Sequence, residues 1–258
     1  MRGLKTPGDA WFGGDTLRDA DSRIHSVRAA QEITERTESS ENTGQDGKRR
    51  TRTRRESIRV TITFQVLETA DPVTRQLAVE AANAWARDGF LEISDKPEKR
   101  LYVTCQKRAA IKDPENPKEK YTLEFETAES PFWEDKTAAS FAFTAGAAGS
   151  QTIRVPGTAD TVAEAAITPS GGALNTLTLR LGDSCMYFTG LNVAAGTALV
   201  IDHDERGYLR IMAGTETKYH CRLGASDDEL AAAAGNAVAS FTANTSCAVT
   251  FTIRGKYK

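Results

Sequence analysis

The sequence predicts a mainly β chain of the α+β class: an N-terminal sheet domain with one packed helix, then an antiparallel β-sandwich. Three observations carry this expectation. Apolar and polar residues alternate over Ser57–Leu67, Leu101–Cys105 and Tyr121–Glu126, as they do in half-buried strands. Between the first two of these runs lies one capped amphipathic segment, from Asp71 to Gly89. Beyond an Ala/Gly-rich stretch at Thr137–Ser150, short strand-like runs alternate with turn signals, the pattern of a sandwich. The expected domains are therefore 1–136 and 137–258, with the final strand at 247–254 open to pair with either.

A chain of 258 residues with 40% apolar composition can build one large or two medium domains with real cores. Charged residues make up 26%, the net charge is −2 and the pI is near 6.0, so nothing global draws it to nucleic acid or membrane. No apolar run approaches the ~18 residues of a membrane span. Met1–Ala10 lacks an apolar signal segment, so export by the secretory route is not expected. The cysteines are Cys105, Cys185, Cys221 and Cys247. None forms a Cys-x-x-Cys pair or has a His at ligand spacing, which disfavours zinc. They read as small buried apolar residues in a reducing compartment.

In chain order, Met1–Asp21 is rich in glycine, and Trp11-Phe12 is its one strong anchor. It reads as a loose arm, or as an arm whose rings dock on a neighbouring subunit. Ser22–Ser39 reads as a strand, the acidic arm before the turn carries Glu32, Glu35, Glu38 and Glu41, and Asn42–Gly47 reads as a turn where Gly44 and Gly47 allow positive φ. The basic strand that follows, from Lys48 to Arg59, holds Lys48, Arg49, Arg50, Arg52, Arg54, Arg55 and Arg59. Simple alternation places Arg50, Arg52 and Arg54 on one face. No aromatic residue is interleaved for base stacking, so pairing with the acidic arm is the preferred reading over nucleic-acid binding. Ser57–Leu67 then turns Ile58, Val60, Ile62, Phe64 and Val66 to one side. Asp71 caps the helix, Pro72 occupies its first position and Gly89 stops it. Val73, Leu77, Ala81, Ala84 and Trp85 make its expected apolar stripe. Lys112–Lys120, with Pro114, Pro117 and six charged residues, is an exposed loop between the next two strands. Pro131-Phe132-Trp133 closes the domain.

Eight strands are expected in the second domain: Gln151–Val155, Glu164–Thr168, Leu174–Leu181, Cys185–Leu191, Thr197–Asp202, Tyr208–Met212, Tyr219–Leu223 and Cys247–Arg254. Ala231–Ala239 has the composition of one or two helical turns, opposed by Gly235-Asn236.

No catalytic constellation emerges. Asp202-His203-Asp204 resembles a ligand cluster, but adjacent strand residues point to opposite faces, so a polar turn is the better reading. Ser226-Asp227-Asp228 lacks the alternating oxygen ligands of a calcium loop and reads as a cap or tight turn. No phosphate-binding glycine loop or Gly-x-Ser-x-Gly elbow is present. Catalytic, metal and cofactor residues are therefore expected to be none.

One set of motifs carries a family resemblance. Asp95-Lys96-Pro97 follows a Trp-bearing helix, then come Arg100-Leu101-Tyr102 and Leu123-Glu124-Phe125 ahead of Pro131-Phe132-Trp133-Glu134. Gly190-Leu191, Leu199-Val200-Ile201-Asp202 and Ser226-Asp227-Asp228-Glu229-Leu230 follow downstream. In this order and spacing they resemble the distal tail proteins (Dit) of long, flexible-tailed phages, over most of the chain after Arg59. The resemblance implies a homo-hexameric ring at the tail tip, built by N-terminal domains, with galectin-like C-terminal sandwiches projecting outward. It implies as partners the tail tube protein, the tape-measure protein and the tail-tip or tail-associated lysin protein, with DNA only in transit and no membrane insertion. The place would be the distal end of the tail of a virion, with no enzymatic activity.

Trp11, Phe12, Arg50, Arg52, Arg54, Glu35 and Glu38 are the expected oligomer interface. The alternatives are a carbohydrate-binding module stacking sugars on Tyr187, Phe188, Tyr208 or Tyr219, and a nucleic-acid-binding protein acting through Lys48–Arg59. A galectin-like fold does not itself imply sugar binding.

Overall fold

The computed structural model describes residues 9–41, 48–67, 69–113, 115–127, 130–204 and 208–258, with backbone alone at 37–41 and 48–55. The expected turn at Asn42–Gly47 lies outside the described residues. The chain divides into two compact units, Met1–Trp133 and Glu134–Lys258. The expected boundary at 136/137 falls just beyond this division.

The first unit starts with a small hairpin, β1 (Ala10–Phe12) and β2 (Asp15–Thr16). Gly13 and Gly14 join the strands at φ 58° and 99°, the positive values that a two-residue hairpin loop requires. Then come α1 (Leu17–Ala20), β3 (Ile24–Glu41), β4 (Lys48–Val66), α2 (Pro72–Trp85), β5 (Gly89–Ile93), β6 (Lys99–Lys107) and β7 (Tyr121–Thr127). The strands form one antiparallel sheet in the order β2-β1-β5-β6-β7-β4-β3. Its core face carries the expected alternation: Ile58, Val60, Ile62, Phe64 and Val66 of β4 are buried, as are Leu101 and Val103 of β6 and Tyr121, Leu123 and Phe125 of β7. Cys105 is only partly buried, because a bulge between Cys105 and Lys107 breaks the register there.

Helix α2 lies on this core face. Asp71 caps it by accepting from Thr74 N at 2.9 Å, with Pro72 in the first turn. Two expectations about it need correction. The helix ends at Trp85 with Ala86 as its cap, and Gly89 instead opens β5 at φ 142°. The buried stripe is Arg75, Ala78, Val79, Ala82 and Trp85, so only Trp85 survives from the expected set. Val73 is 69% exposed and Leu77 52%. Trp85 sets the rotation: its ring packs on Phe12 (4.9 Å) and edge-on to Phe125 (6.3 Å). That orientation carries Arg75 inward, where its stem is buried and its guanidinium donates to Ala70 O at 2.9 Å.

β8 (Trp133–Asp135) spans the junction. The second unit continues with β9 (Ala139–Ala142), β10 (Gly146–Val155), β11 (Thr161–Pro169), β12 (Leu177–Leu181), β13 (Ser184–Phe188), β14 (Leu199–His203), β15 (Leu209–Ala213), β16 (Glu216–Thr217), β17 (Ala231–Ala232), β18 (Gly235–Ile253) and β19 (Lys256–Tyr257). Strand β18 organises it: its first half pairs with β10 and β12, its second half with β9 and β11. The resulting sheet, β13-β12-β18-β11-β14-β15-β16, is antiparallel and curls around one core that includes Ile167, Leu179, Met186, Leu199, Phe241 and Phe251.

Several expectations fail here for local reasons. Thr137–Ser150, read as an edge, contains β9 and the start of β10. Its small residues are required: a Cβ on Gly149 would lie 2.7 Å from the Phe241 ring and 2.9 Å from Phe143. Tyr219–Leu223 is no strand but a 3-10 turn at Tyr219–Cys221. Ala231–Ala239 is extended, as β17 and the start of β18. Residues 247–253 belong to β18 and pair with β11.

Candidate assembly interface

The β3–β4 hairpin has two different halves. Its inner half belongs to the sheet, with β4 bonded to β7 from Phe64↔Tyr121 to Arg59↔Glu126. Beyond the Ile33↔Ile58 pair, no apolar residue occurs in Thr34–Glu41 or Lys48–Ser57, and among the described residues the ribbon is only two strands wide. The register sets Glu32 opposite Arg59, Glu35 opposite Arg55, Glu38 opposite Arg52 and Glu41 opposite Lys48. The backbone register thus places a cationic residue across from each glutamate of the acidic arm, a favourable cross-strand pairing.

The side chains of Arg50, Arg52 and Arg54, expected on one face, lie outside what the structure describes, since only the backbone is described at 48–55. In that backbone, register shifts between Thr34/Glu35 and Glu38/Ser39 leave Glu56 and Thr51 as extra residues on β4, so the pairing departs from simple alternation. Arg52 is paired with Glu38, Arg54 with Arg36 and Arg50 with Ser39. Arg36 approaches the bulged Glu56, Nη1 to Oε1 at 3.9 Å.

Trp11 and Phe12 are not an arm for a neighbour. They are 3% and 2% exposed within their own chain. Trp11 Nε1 donates to Glu92. The Phe12 ring sits between Trp85 and Phe125, at 4.9 and 5.6 Å. The Gly13-Gly14 pair directly after them is a hairpin signal that could have found this placement.

Two surface features were missed. A groove of about 420 Å³ runs beside α2, lined by Val73, Gln76, Val79, Glu80, Asn83 and Ile111 among others. Asn83 fixes its far wall through two bonds to the Ala109 backbone, at 2.8 and 2.9 Å. On the opposite, outer face of the same sheet, Phe90 and Tyr102 meet edge to face at 5.2 Å. The Arg100 guanidinium lies 3.7 Å from the Phe90 ring centre. Both rings stay exposed, at 38% and 40%. The signal for the cluster was the second face of two strands whose first face supplies the core.

The polar clusters of the second unit are structural. Asp202 is held by Arg210 through two bonds of 2.7 and 2.5 Å, and Asp204 accepts from Tyr208 N at 2.9 Å. His203 Nε2 lies 3.7 Å from Glu229. The three side chains of the triplet have separate partners and do not converge. Ser226 Oγ accepts from Tyr187 N, and Asp227 accepts from Cys185 N at 2.6 Å, so both cover the outer edge of β13. The four cysteines are unpaired, and burial pushes the Cys247 thiol pKa up.

No family model matches the sequence, and no curated protein sequence matches it. Among solved structures, the chain is similar to the Dit protein (gp 19.1) of SPP1, described as a paradigm of the hub adsorption apparatus in phages infecting Gram-positive hosts. The match has a TM-score of 0.69 at 18% identity and covers 95% of this chain and 98% of that one. Two structures of the phage p2 baseplate in its activated conformation, with strontium and with calcium, align at 8% identity with TM-scores of 0.48 and 0.49. They cover 89% and 90% of this chain and 90% and 91% of theirs, a likeness too remote to argue from. The chain thus has the fold of a phage Dit protein along nearly its whole length.

Proposed function

We propose that this chain is a structural component of a phage tail tip: a ring-shaped baseplate hub that joins the tail tube to the tip proteins. The observation that carries the reading is the full-length likeness to SPP1 Dit, which spans both units at 95% coverage and keeps their order. The outer half of the β3–β4 hairpin supports it. A two-stranded ribbon without apolar residues is marginal alone in water and gains most from a neighbour. In this reading the chain forms a homo-hexamer through its first unit, with Glu35, Glu38, Arg50, Arg52 and Arg54 holding the hairpin together and against the next copy.

The hub contacts the tail tube protein, the tape-measure protein and the tail-tip or tail-associated lysin protein. DNA crosses its opening in transit only, and the protein sits at the distal end of the tail. It acts by binding rather than by catalysis. Among the described residues no helix is long and apolar enough to cross a membrane.

Negative-stain electron microscopy of the purified chain, alone and with its tail partners, tests the reading. Six-fold rings with a central opening are expected. Monomers under both conditions contradict it.

A second reading draws on Tyr208 and Tyr219, 68% and 49% exposed on the second unit, as a platform for sugar stacking. Phe188 is spent in the core at 3% exposure. Glycan-array binding abolished by Tyr208→Ala with Tyr219→Ala would favour that module. Silence on the array leaves the hub.

A further inference from the structure

Helix α2 has two apolar faces. Val79, Ala82 and Trp85 pack on the chain's own sheet, while Val73 and Leu77, one helical turn apart, point away and are 69% and 52% exposed. The groove beside them has Val79 and Ala109 in its floor and Glu80 on its rim. A second uncovered apolar pair, Phe90 with Tyr102, lies on the outer face of the sheet and carries the cation Arg100 stacked on Phe90. These two patches therefore sit on opposite layers of one unit. They are complementary in kind. One is a concave aliphatic groove with a carboxylate at its edge. The other is an exposed pair of rings with a guanidinium stacked on one of them. Aromatic anchors entering apolar pockets, with Arg beside them, are the usual energetic centre of a protein interface.

We infer that the groove beside α2 is the seat for the Phe90–Tyr102–Arg100 cluster of a second copy of this chain. The inference rests on the hub reading and deepens it by naming a contact between neighbours. Glu80 on the rim faces Arg100 of the incoming copy, and the rings cover Val73 and Leu77. Because the two patches differ and lie on opposite layers, a symmetric dimer cannot bury both of them on each copy. Each copy must give one patch forward and receive one behind. Such a head-to-tail contact closes into a ring when the rotation between copies allows it.

Native mass spectrometry of the full chain tests this with two surface variants, Leu77→Arg on the exposed face of α2 beside the groove and Tyr102→Ala in the cluster. Both positions are exposed, and an unchanged melting temperature verifies that each variant folds. Each variant alone is expected to lose the ring, with self-association weakened about thirtyfold or more, the range of an anchor residue. The decisive arm is their mixture. Leu77→Arg keeps an intact cluster and Tyr102→Ala an intact groove, so together they make one contact and form a 1:1 dimer. In a separate arm, Glu80→Arg and Arg100→Glu each weaken association, and the two changes in one chain restore it.

Rings that persist undiminished in both single variants overturn this contact and leave the hub reading standing. Variants that dissociate but do not pair on mixing overturn the head-to-tail contact. A wild-type chain that is monomeric alone and with its tail partners overturns the hub reading and this contact with it.

Discussion

The two units treat their edges and surfaces differently. In the second, Ser226 and Asp227 cover the exposed edge of β13 with side-chain acceptors, and β18 pairs along both of its sides. The curled sheet encloses its own core. In the first, β3 runs far past the sheet with no third strand beside its outer half among the described residues, α2 leaves Val73 and Leu77 in solvent, and Phe90 and Tyr102 are partly exposed on the outer face. Uncovered edges and apolar patches are costly for a lone chain and are where partners bind. In the proposed reading, this difference places assembly in the first unit and self-sufficient folding in the second.

Changes in the second core separate these roles most sharply. Phe251→Ala removes a fully buried ring at 0% exposure, and such truncations cost about 3–5 kcal/mol. Calorimetry is expected to show a lower transition for the second unit while the first unit's transition holds. Equal loss in both would mean that the units do not fold independently.

Reversing charge on the hairpin acts in the opposite sense. Arg50→Glu, Arg52→Glu and Arg54→Glu together set a like charge across from Glu38 in the backbone register and strip three cations from the ribbon. Each like-charged pair costs roughly 0.2–1 kcal/mol. Ring assembly is expected to fail with little change in the melting of the second unit. Reversal of Glu38 to Arg in the same chain should restore part of it, since it is paired with position 52. Normal assembly with lost DNA retention would instead make the hairpin a nucleic-acid element.

Thiol labelling offers a finer contrast. Cys105 is partly exposed in the first unit, whereas Cys185, Cys221 and Cys247 are buried in the second. One fast-reacting thiol is expected, with Cys247 the most protected because burial also raises its pKa. Rapid reaction of Cys247 would show that the second core opens readily.

The smallest effect concerns the α2 cap. Bonds from the Thr74 backbone and hydroxyl hold the Asp71 carboxyl below its ordinary value. A depressed folded pKa stabilises above the unfolded value of about 3.9. That contribution is lost as pH falls through the lower folded value. Helical signal at acid pH should therefore change less in Asp71→Ala than in wild type.

Much of the fold was legible because burial on one sheet face writes a period of two into β4, β6 and β7, and because Asp71-Pro72 is a strong helix start. What escaped the sequence had physical causes. The α2 stripe was misassigned because an arginine inside a buried stripe argues against it, yet Arg75 is buried with its head bonded to Ala70 O. The extra residues Thr51 and Glu56 on β4 carry no residue signature, so the register of the ribbon could not be read from alternation. Small residues at Thr137–Ser150 read as a domain edge, although a Cβ on Gly149 would meet the ring of Phe241. Of the candidate interface, the opposition of acidic and basic arms was readable. The rings of Phe90 and Tyr102 were not, since nothing local distinguishes an uncovered outer face from a covered one.

Hydrogen–deuterium exchange of the full chain, compared between dilute monomer and concentrated assembly, tests most directly the claim that the first unit assembles and the second stands alone. Added protection is expected in the outer half of β3–β4, in α2 and in β5–β6, with the amides of β10 to β18 exchanging alike in both states. Protection gained mainly across β10 to β18, with β3, β4 and α2 unchanged, would contradict it.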